Sequence, residues 1–230
     1  MGTNGRLSMT TLALEFSSDK RSASLLNEGL FVAEAVHVEE GHTPVIALVR
    51  RVLEQAGISR ESVKRIAVGL GPGSYAGIRL ALAFAQGWSL KGGVDVVGVS
   101  SLEALIHGIP GDNVMEGTSA LVLVDAHRGE FHAQRVTFCQ GCWRPEGCVL
   151  LLTKEAAERA GAGDMRILGP GVRRWFTGGT DCFPTARHVG ILGWSMNPAT
   201  APEEIEPIYM RATVFVKAPP PRTDLLEGAG

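Results

Sequence analysis

The sequence has no apolar run long enough to cross a bilayer. Its best candidate, around Ile78 to Leu90, is interrupted by Arg79 and Gln86 and closed by Lys91, far short of the roughly 18 residues a span needs. Residues 1–9 also lack the apolar core of a secretory leader, so a cytoplasmic location is expected. Excess charge is missing too: 22 Lys and Arg against 24 Asp and Glu leave a net charge of −2. That balance argues against broad electrostatic attraction to nucleic-acid phosphates, which normally needs a basic face, so no direct tRNA binding is expected. Any nucleic acid served by this protein would be held by a partner. Cysteine is scarce, with only four. Cys139 and Cys142 form a C-x-x-C with Cys148 close by, yet no second such pair follows and no histidine lies between Cys139 and Cys182. Zinc is therefore not expected, and the cysteines read as free thiols at a hairpin tip and in nearby packing. A P-loop is excluded as well, because no lysine follows its glycines in the required place.

What is present is an ordinary globular composition, 45% hydrophobic and 20% charged, long enough for one large domain or two of about 100 residues each. The chain is organised around Gly69 to Lys91. Ile66, Val68 and Leu70 alternate like the end of a strand, Gly71-Pro72-Gly73 turns, and Ser74 is placed to cap a helix starting at Tyr75. Backbone N–H groups converge at such a helix start, which suits an anion. Along the helix Gly73, Gly77, Ala81 and Ala85 recur every four residues, flanked by Ile78, Leu82 and Trp88. A stripe of small side chains lets another helix come close, inside the monomer or across an interface.

Read in order, Thr11–Phe16, a run through Leu26 and a run from Leu30 to Val38 make a three-stranded meander. Thr43 and Pro44 start a helix whose apolar face is Val45, Leu48, Val49, Val52, Leu53 and Ala56, stopped by Gly57. The strand before Gly69, the central helix, a strand at Val94–Val99 and a helix near Ser101 complete a half, residues 10–107. A Gly- and Pro-containing stretch, 108–118, reads as a linker. A second, reduced half follows over 119–215, with strands at Ala120–Ala126, Glu130–Phe138, Val149–Leu152 and Arg166–Leu168, and helices capped by Thr153 and Thr185. Residues 1–9 read as a flexible start and 216–230 as a disordered tail. Two copies of a meander followed by alternating helices and strands predict an α/β protein with a duplicated ribonuclease-H-like fold, that of the actin-like (ASKHA) ATPases.

In that layout Glu15 and Asp125 each end the first strand of a half. They could hold Mg²⁺, or each could accept backbone N–H groups in its own hairpin turn. The turn reading fits better, because Glu is longer than the Asp usual at the first position. Glu15, Ser17, Gly71, Gly73, Ser74 and Asp125 make up a possible vestigial nucleotide or phosphate site.

Five segments carry a resemblance to a known family: TLALEFSS (11–18), GPGSYAGIR (71–79), GVSSLEAL (98–105), DAHRGEFH (125–132) and PIYMR (207–211). They resemble, in order, the corresponding motifs of the TsaB (YeaZ) family of tRNA threonylcarbamoyladenosine biosynthesis proteins. The resemblance implies a non-catalytic scaffold with no cofactor and no metal, which pairs with a TsaD-like subunit, helps recruit a TsaE-like ATPase and forms a homodimer when alone. The H-x-x-x-H metal pair of TsaD is absent, since His42 is followed by Ile46 at that spacing. The partner interface implied by the resemblance comprises Val45, Leu48, Val49, Val52, Gly73, Ser74, Tyr75, Gly77, Ile78, Ala81, Leu82 and Ala85. The alternative reading is an ATPase or ATP-dependent phosphotransferase of the actin-like superfamily, using Glu15, Asp125 and the Gly71–Ser74 turn.

Overall fold

The computed structural model describes residues 9–37, 45–90, 92–163, 165–198 and 201–208. The expected flexible start before residue 9, the Thr43-Pro44 helix start, the Tyr209–Arg211 end of the last motif and the expected tail all lie outside the described residues.

Strands β1 (Thr10–Glu15) and β6 (Ser119–Asp125) are the central strands of two sheets. Both are near-continuous apolar runs because both of their faces are covered. In the first sheet, β1 pairs antiparallel with β2 (Arg21–Asn27), which pairs with β3 (Leu30–His37); β1 also pairs parallel with β4 (Val63–Gly69), followed by β5 (Asp95–Val99). The second sheet repeats this with β7 (Glu130–Cys139), β8 (Cys142–Thr153), β9 (Arg166–Gly169) and β10 (Thr180–Asp181). The orders β3-β2-β1-β4-β5 and β8-β7-β6-β9-β10 are the same order with the same strand senses. This identity of topology establishes the duplicated, actin-like fold.

The second copy is reduced. Where the first has α2 (Tyr75–Ser89) between β4 and β5, the second has a single 3₁₀ turn at Val172–Arg174 between β9 and β10. One strand is longer than its sequence suggests: β8 begins at Cys142, seven residues before the apolar run at Val149. Arg144, Pro145 and Glu146 conceal it, and a proline is tolerated there because β8 is an edge strand.

The chain order does not divide the cores. Helix α3 (Ser101–His107) belongs by sequence to the first half, but Leu102, Leu105 and Ile106 pack with Val122, Val124, Phe138 and Trp143 of the second lobe. Helix α5 (Ala186–Trp194) does the reverse, setting Ala186 and Val189 against Ala13, Leu26, Ala67 and Val97. Each lobe's core thus takes in a helix from the other's segment. Gly190 and Gly193 let α5 lie directly on the first sheet, since a Cβ at either would collide with Leu26 or Ala67. Buried Arg65 of β4 secures the end of α5 by donating from Nη1 to the carbonyls of Gly193, Trp194 and Met196 at 3.1, 2.6 and 3.0 Å. A cation at that position also complements the helix C-terminus.

Candidate functional site

Two regions compete for function: the crevice between the lobes and the outer face of α1 (Val45–Ala56) and α2. At the crevice the two strand-ending carboxylates make the same turn. Glu15 Oε1 accepts from Ser17 N at 2.6 Å, and Asp125 Oδ1 accepts from His127 N at 2.7 Å. Their surroundings differ. Glu15 is fully buried beneath Gly69, and burial pushes its carboxyl above the ordinary carboxylate range against the opposing hydrogen bonds from Ser17. Asp125 lines the crevice.

The cavity there measures about 370 Å³ and brings together Ser17, Gly73, Ser74 and Asp125 with His127 and Arg174. Glu15 and Gly71, expected in the same site, sit behind its wall in the buried interior. Gly73, at φ 148°, and Gly77 press against the carbonyl oxygens of Ser17 and Phe16, leaving no room for a Cβ. Ser74 completes this clamp, its N–H donating to Ser17 O at 2.7 Å while its hydroxyl accepts from Gly77 N at 3.3 Å. From the second lobe Arg174 reaches Asp19 across the opening, at 3.7 Å, and Pro170 contributes a wall without an N–H. Among the described residues no group of three or more His, Cys, Asp or Glu is placed to hold a metal ion.

The small-residue stripe faces inward. Gly77, Ile78, Ala81, Leu82 and Ala85 of α2 and Val45, Leu48, Val49 and Val52 of α1 are buried in the chain's own core, several of them against Leu12, Leu14 and Phe16. Of the two settings that small side chains allow, the stripe occupies the interior of its own monomer. Its small size serves the close approach of α2 to the β1–β2 turn and sheet. Of the twelve residues expected at an interface, Tyr75 is well exposed, at 53%, with Arg79 stacked on its ring.

A different surface lies on the outer side of the same helices. Ile46 is 71% exposed, and Ala76, Ala83 and Gly87 form a second small-residue row facing solvent. Between α1 and α2 runs an open groove of about 810 Å³, lined by Ile46, Val49, Leu53, Ala83, Phe84 and Trp88 and edged by Arg50, Glu54 and Arg60. Phe84 and Trp88 meet edge to face at 5.4 Å, and the Arg60 guanidinium lies 4.4 Å over the Trp88 ring.

A family model described as TsaD, tRNA N6-adenosine threonylcarbamoyltransferase, matches residues 37–143. The chain is 27% identical to the tRNA threonylcarbamoyladenosine biosynthesis protein TsaB of Escherichia coli (strain K12), over 92% of this chain and 99% of that protein. The corresponding Haemophilus influenzae protein is also 27% identical, over 93% and 98%. The solved structure of YeaZ from Pseudomonas aeruginosa superposes with a TM-score of 0.69 at 25% identity, covering 88% of this chain and 100% of that one. The chain is similar to the TsaB (YeaZ) family over most of its length.

In this chain, sequence reading reached the crevice walls through the Gly-Pro-Gly turn and the two carboxylates. It missed Arg174, which lies in no motif, and the role of Ser101, which lies within GVSSLEAL; Ser101 Oγ accepts from Gly71 N at 3.0 Å and supports the turn from behind. It also missed the outer groove, although Ala83 with Gly87 and Phe84 with Trp88 recur four residues apart on α2 and were legible as a second face.

Proposed function

We propose that this protein is a non-catalytic subunit of the machinery that makes N6-threonylcarbamoyladenosine at tRNA position 37. It acts in the cytoplasm by binding and activating a TsaD-like subunit through the outer faces of α1 and α2, and helps recruit a TsaE-like ATPase. The observation that carries this reading is the apolar groove between α1 and α2. Both helices fall within residues 37–143, the part that is similar to TsaD. A partner built on the same helix pair would meet it in pseudo-symmetric fashion, and a second copy of this chain would do so when the partner is absent. A specific contact of this kind buries about 800 Å² on each side. Spent chemistry at the crevice supports the same reading, because Glu15 is sealed in the core and Arg174 is tied to Asp19.

The test is co-purification with the host's TsaD-like subunit, read by size-exclusion chromatography. Wild type is expected to form a heteromer and Gly87→Leu to remain apart; a heteromer of normal yield with Gly87→Leu overturns the assignment of the surface. MgATP titration of the isolated chain examines the competing ATPase reading. Saturable binding with turnover that Asp125→Asn abolishes would replace the scaffold by an enzyme.

A further inference from the structure

The β7–β8 hairpin ends in a turn of two residues, Gln140 at φ 53° and Gly141 at φ 76°. Positive φ at both central positions is the signature of a type I′ turn, which holds its flanking residues directly opposite one another. Those residues are Cys139 and Cys142, register partners across the hairpin. Cys142 Sγ leans back over the turn to within 3.5 Å of the Cys139 carbonyl oxygen. Register partners of this hydrogen-bonded kind stand about 5.5 Å apart at Cα, inside the roughly 4.4–6.8 Å that a disulfide bridges.

The neighbouring residues fix the tip from below and from the side. Phe138 and Trp143, the next register pair, are buried edge to face at 5.4 Å, so alternation puts both thiols on the opposite face, half-buried. The Glu116 carboxylate accepts from Gln140 N at 3.0 and 3.2 Å. The connector between the lobes is also stitched to the hairpin, by Gly117 N to Phe138 O at 2.9 Å and Phe138 N to Thr118 O at 2.8 Å. The other two cysteines are placed differently. Cys182 is packed against the second core, where burial, with Asp181 adding to it, pushes its thiol up to about 12. Cys148 stands exposed on β8, six residues beyond Cys142.

We infer that Cys139 and Cys142 are a reversible dithiol–disulfide couple, a modification site at the hairpin tip whose oxidant is a low-molecular-weight disulfide of the glutathione class. One protein thiolate attacks a sulfur of the small disulfide, breaking its S–S bond, and the expelled small thiolate takes up the released proton. The second protein thiol, losing its proton, then attacks the protein-bound sulfur of the mixed disulfide. The Cys139–Cys142 bond forms and the second small thiol leaves. Two electrons pass from the protein thiols to the oxidant, which is reduced to two thiols. Oxidation closes the tip to which the inter-lobe connector is sewn.

The full-length protein is equilibrated with mixtures of oxidised and reduced glutathione, quenched with acid, and read by intact mass and peptide mapping. The expected product has lost two hydrogens and carries its bond within one peptide containing both cysteines. The Cys148→Ser/Cys182→Ser double variant gives the same product, whereas Cys139→Ser and Cys142→Ser instead retain a bound glutathione. Separate glutathione adducts on Cys139 and Cys142 in the wild type, without loss of two hydrogens, overturn the inference, as does a bond that uses Cys148.

Discussion

Gly77 and Gly87, ten positions apart on α2, do opposite things, and each can be tested by a single substitution. At Gly77 a Cβ would run into the Phe16 carbonyl oxygen, a backbone atom that cannot swing aside. Gly77→Ala is expected to lower unfolding stability by about 1–3 kcal/mol, the usual cost of overpacking, measured by chemical denaturation. Glu15 offers a second test, in pH. Its folded carboxyl is held above the value of 4.5 ordinary for the unfolded chain. The contribution of that group is therefore intact below the ordinary carboxylate range and lost as pH rises through the elevated value. Glu15→Gln keeps the shape and the acceptor for Ser17 N without the charge. It is expected to melt higher than wild type above neutrality, with the gain shrinking in acid. His188 works in the opposite sense: burial, then His107 and Arg187, lowers it from 6.5 to about 4. Its share of stability is present above the unfolded value and disappears as pH falls through about 4. His188→Gln should flatten the acid limb of a melting-temperature profile between those two values.

At the scale of elements, α2 is a helix with two small-residue rows, one buried and one exposed. Sequence leaves the setting of the buried row open, because close helix packing demands small residues inside a monomer and across an interface alike. Periodicity identifies a face and leaves its neighbour open. Gly87, on the exposed row, has nothing within 4 Å of where a Cβ would stand. Gly87→Leu is accordingly expected to leave the monomer folded and to stabilise it by up to about 1 kcal/mol through helix propensity, while blocking association. A normal melting temperature alongside lost co-purification separates a surface effect from unfolding. Helix α5 provides the second element-scale prediction. Replacing Arg65 by Leu leaves the carbonyls at the end of α5 without their donor, at a cost of about 1–3 kcal/mol. Amide exchange should then speed up in α5 well before it does in β4.

For the whole molecule, the exchange of α3 and α5 between lobes means that neither segment of the chain carries a complete core. A chain ending within residues 108–118 would lack α5 and leave Leu26, Ala67 and Val97 uncovered, while its α3 would present Leu102, Leu105 and Ile106 to water. Such a fragment is expected to be insoluble or to bind dyes that report exposed apolar surface. Co-expression of the two fragments should restore a soluble particle if the exchanged helices hold them together.

The number, type and order of most elements were legible in the sequence, because a buried central strand, a capped amphipathic helix and a Gly-Pro-Gly turn are local consequences of side-chain chemistry. The motifs that resemble the TsaB family are local in the same way, and so is the Glu15 and Asp125 turn geometry, which spans only two residues. Partnership across long separations was decided by the tertiary structure. Which core takes α3 and α5, which row of α2 meets solvent, and that Glu15 is sealed while Asp125 lines a crevice all depend on contacts between residues remote in the chain. Hydrophobic burial rewards contact without naming the partner, so the pattern requires that a face be covered and only the assembled fold says by what.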